Sequence, residues 1–410
     1  MSRPKRRGAV IAIFALGILG TLDLLVQPLC VGTAARDLSL TERQAGFFAS
    51  FDLVGAVLSA VLALFWVRRL PWREVALANL LLMAVGHLAA TQLGTLGSLA
   101  PARILVGFAG GNLLAISLAW LSDTSHPERL GGLFVASQTA VQIAAFALLP
   151  STVLRAGGLD GYFQLFVVLA LLGLLCVPWI PGHGRRRPAV SPGGSRVGKG
   201  ADEHDGTRLR AALALGGVGL FFLNTGAFWS YVERIGSAAG LGLETIGMAL
   251  SVSGFLAFAG SLTAARLGSR LSLTSALGIA FLGQGMALGL LLLDQTPALF
   301  AFALGQFGFF WNLAIPYQLG ALIRNDPTGR RVVLISAFQA AGMAAGPPLV
   351  ALWVDALGLV AMHWVSLLAG AASLLLFLGL ERRQTQASSP SPGPRDRGRR
   401  RRSERSRGVA

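Results

Sequence analysis

The chain has 410 residues, of which 53% are hydrophobic and only 13% charged, with a mean hydropathy of +0.62 and a formal net charge of +16. A soluble domain carries about 25% charged residues, so the apolar surface of this chain exceeds what one aqueous core hides, and the bilayer must be its main solvent. The basic excess does not point to nucleic acid, because it is confined to the termini and to gaps between apolar segments.

A helix needs about 20 residues to cross the hydrocarbon, and twelve such spans follow one another. The first covers 9–32, behind the basic stretch Arg3, Lys5, Arg6 and Arg7. It is longer than the roughly 7–15-residue core of a secretory signal and carries Asp23, so it is expected to be a transmembrane helix. The next five cover 44–66, 73–93, 98–121, 130–150 and 159–181. The segment 182–209, rich in Pro, Gly and charge, is expected to be a flexible cytoplasmic linker. Six further spans cover 210–232, 243–266, 273–293, 297–320, 332–353 and 358–380. The tail 384–410, rich in Ser, Pro and Arg, is expected to be disordered, a solvated anchor of topology with anionic lipid headgroups as its alternative partner.

The charge alternates from gap to gap. The N-terminus contributes +4, the segment from Gly182 to Arg210 +4, and the tail from Glu381 to Ala410 +7. Arg68, Arg69, Arg73, Arg129, Arg266, Arg270, Arg324, Arg330 and Arg331 lie in gaps on that same side. The other gaps are short and near neutral. Because Lys and Arg resist translocation, both termini are expected in the cytoplasm of a cell with this protein in its inner (plasma) membrane. The two cysteines, Cys30 and Cys176, then fall near opposite faces, too far apart for a disulfide, and are expected to be free.

The second six spans repeat the first at a spacing of about 200 residues. The expected architecture is all-α: an N-terminal six-helix bundle over 1–181 and a C-terminal one over 210–383, parallel repeats of the kind found in transporters built as two rocking halves.

Local motifs add to the layout. After the eighth span, Gly260-Ser-Leu-Thr-Ala-Ala-Arg266-Leu-Gly268-Ser-Arg270 resembles the Gly- and Arg-rich loop motif of the major facilitator superfamily, bacterial twelve-helix type. The equivalent loop after the second span, Trp66-Val-Arg68-Arg69-Leu-Pro-Trp-Arg73, keeps the arginines without the usual Gly and Asp. Arg103-Ile-Leu-Val-Gly107-Phe-Ala-Gly110-Gly111 is similar to the fourth-helix motif that sets an arginine in the membrane ahead of small residues. Leu22-Asp23-Leu-Leu-Val-Gln27-Pro28-Leu resembles the acidic first-helix motif of proton-coupled drug exporters, whereas the fifth span carries Ser137-Gln138-Thr-Ala-Val-Gln142 in place of the antiporter Gly-Pro signature. The resemblance covers about residues 9–383. It implies alternating access by a secondary transporter, with a cavity between the halves.

Ionisable groups inside a bilayer cost several kcal/mol unless paired or wet, which makes them functional candidates. Asp23 and Asp52 both fall about 12–14 Å below the outer surface at 1.5 Å per residue, and Arg103 enters from the same side. The expected site is a carboxylate–arginine cluster in which Asp23, or second Asp52, binds a proton and Arg103 tunes its affinity; a permanent salt bridge is the structural alternative. Glu233, beside Arg234 at the outer end of the seventh span, is a gating candidate, as are Arg266 and Arg270 in the inner loop, although an ordinary interfacial pair next to Trp229 and Tyr231 explains Glu233 as well. The family's cavity-lining helices imply a substrate cavity of Gln27, Asn112, Phe221, Asn224, Phe228, Phe310, Trp311 and Asn312, with Gln138, Gln142 and Gln339 beside it. Such an aromatic and amide lining suits a neutral, amphipathic or weakly cationic organic molecule, and a phosphorylated substrate would need several Arg or Lys groups. There is no phosphate-binding loop and no grouping of His and Cys for a metal, so neither an enzyme nor a cofactor is expected. The leading expectation is a monomeric, proton-coupled exporter of an amphipathic compound. Proton-linked import of a small nutrient, or a transport-inactive sensor or scaffold, are the alternatives.

Overall fold

The structure is a computed structural model that describes residues 3–183, 201–325 and 334–388. Most of the expected linker (184–200), the inner loop with Arg330 and Arg331 (326–333) and the end of the tail (389–410) lie outside the described residues, as do the side chains of Arg3 and Lys5 to Arg7. Among the described residues twelve helices are long and apolar enough to cross a membrane.

The first half contains α1 (Arg3–Leu25), α2 (Gln27–Asp37), α3 (Glu42–Trp66), α4 (Trp72–Ala90), α5 (Leu96–Ser122), α6 (Pro127–Leu148) and α7 (Val153–Leu174). The second contains α8 (Ala201–Ala238), α9 (Leu243–Leu267), α10 (Leu273–Leu290), α11 (Pro297–Asn325), α12 (Ile335–Leu357) and α13 (Val360–Ser388). The seventh expected span starts earlier than its apolar run, because α8 begins at Ala201 within the segment expected as linker. The sixth spanning helix, α7, covers Val153–Leu174 against the expected 159–181, and it is bent at Gly158, whose φ of +52° few side chains tolerate. The Asp37 carboxylate accepts from the Leu159 N–H at 2.7 Å there, capping the helix that follows.

The first expected span is two helices, and Pro28 is the reason. Proline has no N–H, so the Leu24 carbonyl loses its helical donor. The Leu29 N–H turns to the Val26 carbonyl at 3.0 Å, which leaves the Leu25 carbonyl free as well. Both freed carbonyls are taken up from outside the helix. Gln142 Nε2 of α6 donates to Leu25 at 2.9 Å, and Trp229 Nε1 of α8 donates to Leu24 at 3.4 Å. The second of these bonds crosses from one half to the other.

Small residues let the helices of each half approach closely, as packing in lipid requires. A Cβ placed on Gly110 of α5 would meet the Gly20 carbonyl oxygen of α1 at 2.5 Å. Gly110→Val is therefore expected to force these helices apart and cost about 1–3 kcal/mol, read as a lowered thermal midpoint in detergent. Gly97→Ala, with nothing within 4 Å, should leave the midpoint unchanged and serves as its control.

The repeat is visible in individual side chains. Ser59 of α3 donates to Asn112 of α5 at 2.9 Å, and Ser261 of α9 donates to Asn312 of α11 at 3.4 Å. Ser261 lies 202 residues after Ser59 and Asn312 lies 200 after Asn112. The two halves meet along two seams related by the same repeat, α3 against α12 and α9 against α6, and also where α2 packs against α8. Gly46 opens the first seam to Tyr231 and Pro347, and Gly247 opens the second to Phe146 and Pro150. The two cysteines are free, Cys30 buried and Cys176 half-buried; burial pushes the Cys176 thiol up.

Candidate functional site

The charged residues of the first half converge. Asp23 of α1, Asp52 of α3 and Arg103 of α5 are all buried. Arg103 Nη2 donates to Asp23 Oδ2 at 2.9 Å and to Asp52 Oδ2 at 2.5 Å, while Nε reaches the same Asp52 oxygen at 3.2 Å. A single guanidinium edge thus bridges two carboxylates. Gly107 makes this geometry accessible, because its bare Cα lets α5 lie against the backbone of Asp52.

Two further polar groups complete the cluster, and the expected site contained neither. The Tyr162 hydroxyl of α7 donates to Asp23 Oδ1. His87 of α4, at 0% exposure, places Nε2 3.6 Å from Asp23 Oδ2 and stacks on Phe166 with ring centroids 5.0 Å apart. Both come from elements packed beside Asp23: His87 lies near the C-terminal end of α4 and Tyr162 in the first half of α7. Around them Phe48 and Phe163 face the guanidinium at 5.8 and 5.4 Å, an apolar wall that strengthens every charge inside it. Both oxygens of Asp23 are occupied. Asp52 Oδ1, Arg103 Nη1 and both ring nitrogens of His87 have no hydrogen-bond partner.

Among the described residues the cluster has no counterpart in the second half. At the repeat spacing of 202 and 200 residues, Gly254 stands where Asp52 does and Ala303 where Arg103 does. Its buried polar groups include amides, Asn224 donating to Gln284 at 2.9 Å and Gln306 to the Gly283 carbonyl at 2.9 Å, with Glu233 and His363 the buried acid and histidine among the described residues.

The expected cavity residues divide into two sets. Gln27 and Trp311 lie at the junction of the halves, while Gln138 and Gln142 of α6 bond α1 within the first half. Gln27 Nε2 donates to the Ala49 carbonyl at 2.6 Å and its Oε1 accepts from Ser230 across the junction at 3.3 Å. Gln138 donates to Thr21 at 2.7 Å. Trp311 meets Trp229 and Phe222 edge to face at 6.0 and 6.5 Å, and its buried Nε1 has no partner. Gln339 is half-buried near the N-terminal end of α12. The remaining residues are held inside the bundles. Asn112 is held by Ser59 and by Asn79, to which it donates at 3.0 Å; Asn224 pairs with Gln284 and Asn312 with Ser261. Phe221 lies in the second-half core, Phe228 stacks on Phe307 at 3.7 Å, and the Phe310 ring covers Gly283 of α10. Trp229, expected in an interfacial belt, is instead buried between the halves against Phe146 at 5.8 Å.

At the end that the charge pattern assigns to the outside, four ion pairs among the described residues join the halves: Arg36–Glu233 at 2.9 Å, Arg234–Glu42 at 2.6 Å, Arg43–Asp355 at 3.2 Å and Arg155–Glu244 at 3.5 Å. Glu233 and Arg234 thus grip different helices, α2 and α3, as their roughly 100° separation on α8 requires. At the opposite end Arg68 pairs with Asp123 at 2.6 Å and donates to Ser122 at 2.9 Å, so the loop after α3 is tied to α5 by residues other than the usual Gly and Asp. Arg266 and Arg270 are exposed, with no ion pair among the described residues.

Twelve spanning helices in two repeated bundles, with a polar junction between them, define a membrane transporter rather than an enzyme. The chain belongs to the Major Facilitator Superfamily, whose family model matches residues 8–327. No curated protein matches it by sequence. Among solved structures it is similar to a bacterial homolog of the human lysosomal transporter Spinster, inward-facing and unoccupied, at 15% identity and TM-score 0.66, covering 96% of this chain and 100% of that one. The nucleoside transporter NupG is similar at 14% identity and TM-score 0.71, covering 92% and 99%. A peptide transporter, POT, is similar at 14% identity and TM-score 0.69, covering 91% and 95%.

Proposed function

We propose that the protein is a proton-coupled exporter of a neutral, amphipathic organic compound, with one proton carried by the Asp23–Arg103–Asp52 cluster. The observation that carries this reading is the bridging guanidinium. Two buried carboxylates and one arginine leave a net charge of −1 inside an apolar wall, and burying an unbalanced charge costs far more than burying a balanced set. One bound proton restores balance. Asp52 Oδ1 is its place, since it is the carboxylate oxygen of the cluster that accepts no hydrogen bond. When the halves rock, Arg103 shifts its hold between the two acids, and the cluster takes up or releases that proton.

The substrate class follows from the junction. Gln27, Gln138, Gln142, Trp229 and Trp311 are amides and indoles with no cation among them. Trp311 Nε1 is free, and the other donors are held by protein groups that a substrate would replace. This set favours an uncharged molecule with an aromatic or apolar body. The resemblance of the Asp23 segment to proton-coupled exporters supports the outward direction. The nucleoside and peptide transporters of the same fold support a small organic solute.

The test is accumulation of a panel of amphipathic compounds in an efflux-deficient bacterial host, comparing wild type with Asp23→Asn at matched membrane expression. Wild type should lower the accumulation of at least one compound and Asp23→Asn should not. Raised accumulation would reverse the direction to import. No change with any compound would end the export reading in favour of a sensor or scaffold.

A further inference from the structure

The outer closure contains a second buried acid that the Asp23 cluster does not use. Glu233 is 0% exposed. Its Oε1 accepts from Arg36 Nη1 at 2.9 Å and from Ser237 at 2.8 Å, while Oε2 has no hydrogen-bond partner and lies 4.0 Å from Arg234 Nη1. Gly32 of α2 lies flat against the carboxylate, and a Cβ there would overlap it. Beside it a cavity of about 450 Å³ opens at the outer end, lined by Thr33, Arg36, Asp37, Leu154 and Ser237. Two of these residues, Arg36 and Ser237, are the groups that hold Glu233. The carboxylate is therefore one side-chain layer from a vestibule.

We propose that Glu233 is a second proton-binding site, loaded from this outer vestibule, and that its protonation releases the outer closure. The electrostatics give the sign. Glu233 and Arg234 on α8 face Arg36 on α2 and Glu42 on α3, two acids against two bases. Protonating Glu233 removes one negative charge. Arg36 on one half and Arg234 on the other then carry like charges across the seam, and Glu42 alone stands against both. Opposition between like charges at such a junction drives the halves apart. The other titratable and charged groups around Glu233 are already engaged: Asp37 caps Leu159, Arg43 of α3 pairs with Asp355 of α12, and Arg155 of α7 pairs with Glu244 of α9. Tyr231 of α8 donates to the Glu42 carbonyl at 3.1 Å. The Arg43–Asp355 and Arg155–Glu244 pairs are exposed, where an ion pair contributes little, so Glu233 dominates the response to acid. The acid end of the gradient thereby opens the side it touches.

The experiment is the distance between spin labels on Gln92→Cys and Asp294→Cys, one on the outer end of each half, in the full-length protein with Cys30→Ala and Cys176→Ala, reconstituted in lipid nanodiscs. As the medium is taken from alkaline to acidic, the distance distribution should shift to longer separations. Glu233→Gln should show the long separations already at alkaline pH. Glu233→Asp should keep the pH response. In Asp52→Asn, which removes the other proposed proton site, the part of the shift that Glu233 drives should remain, smaller than in wild type. An unchanged distribution across pH in the wild type would overturn the proposal, as would alkaline Glu233→Gln matching wild type. Loss of the response in Asp52→Asn alone would assign it to that cluster and overturn the proposal too. If Glu233→Gln does not fold, the wild-type titration and Glu233→Asp still decide.

Discussion

Arg103→Leu should be the most damaging single substitution in the chain. It leaves Asp23 and Asp52 buried side by side without their shared counter-ion, and removing one partner of a buried ion pair costs about 3–5 kcal/mol. The neighbouring Tyr162 hydroxyl satisfies one oxygen of Asp23 but brings no positive charge. His87 has one contact with the cluster, at 3.6 Å, and cannot replace a guanidinium that bonds both acids. The readout is the unfolding midpoint in detergent, with the yield of monodisperse protein as a second measure. The triple variant Asp23→Asn, Asp52→Asn, Arg103→Leu should recover much of the loss, because it removes the two charges that the arginine compensated. A stable Arg103→Leu protein would show that the cluster does not organise the first half.

Asp52→Asn should have the opposite profile. It mimics the protonated carboxyl, keeps Arg103 paired with Asp23 and brings the cluster to neutrality, so the protein should fold at least as well as wild type. What it should lose is coupling. A pH difference of about one unit stores ~1.4 kcal/mol per proton and sustains about a tenfold substrate gradient. In proteoliposomes with an imposed pH difference, wild type should build that gradient and Asp52→Asn should not. Exchange of labelled for unlabelled substrate, which needs no net proton movement, should continue in the variant. Gradient-driven transport that survives in Asp52→Asn would remove Asp52 as the proton carrier. Exchange that fails as well would place the residue in substrate binding or helix packing instead.

The fold was legible because membrane helices announce themselves by length and apolarity, and because the arginines mark alternate gaps. Most spans agree with the helices to within a few residues, but α7 runs Val153–Leu174 against the expected 159–181, α13 continues to Ser388 into the tail expected to be disordered from 384, and local chemistry intervenes elsewhere. Pro28 splits the first helix, Gly158 bends the sixth span, and α8 extends from Ala201 into the segment read as linker. The charged cluster was legible by depth alone, since an acid or arginine far from the interface has few reasons to be there. His87 and Tyr162 escaped because a neutral imidazole and a phenol do not carry that penalty and pass for ordinary interior residues. The cavity was the least legible part. Helical periodicity says that Asn112, Asn224 and Asn312 share a depth with Gln27 and Trp311, but not which way each points. Only the contacts with Ser59, Gln284 and Ser261 reveal that their amides are engaged within the bundles.

The break at Val26 makes the second half complete a helix that belongs to the first. Leu24 has its carbonyl donor only while Trp229 is in place. Any motion that draws α8 away from α1 strips that carbonyl, and a buried acceptor left bare costs about 1–3 kcal/mol unless water replaces the lost donor. Opening the junction therefore carries a backbone penalty in the first half, set by an indole of the second.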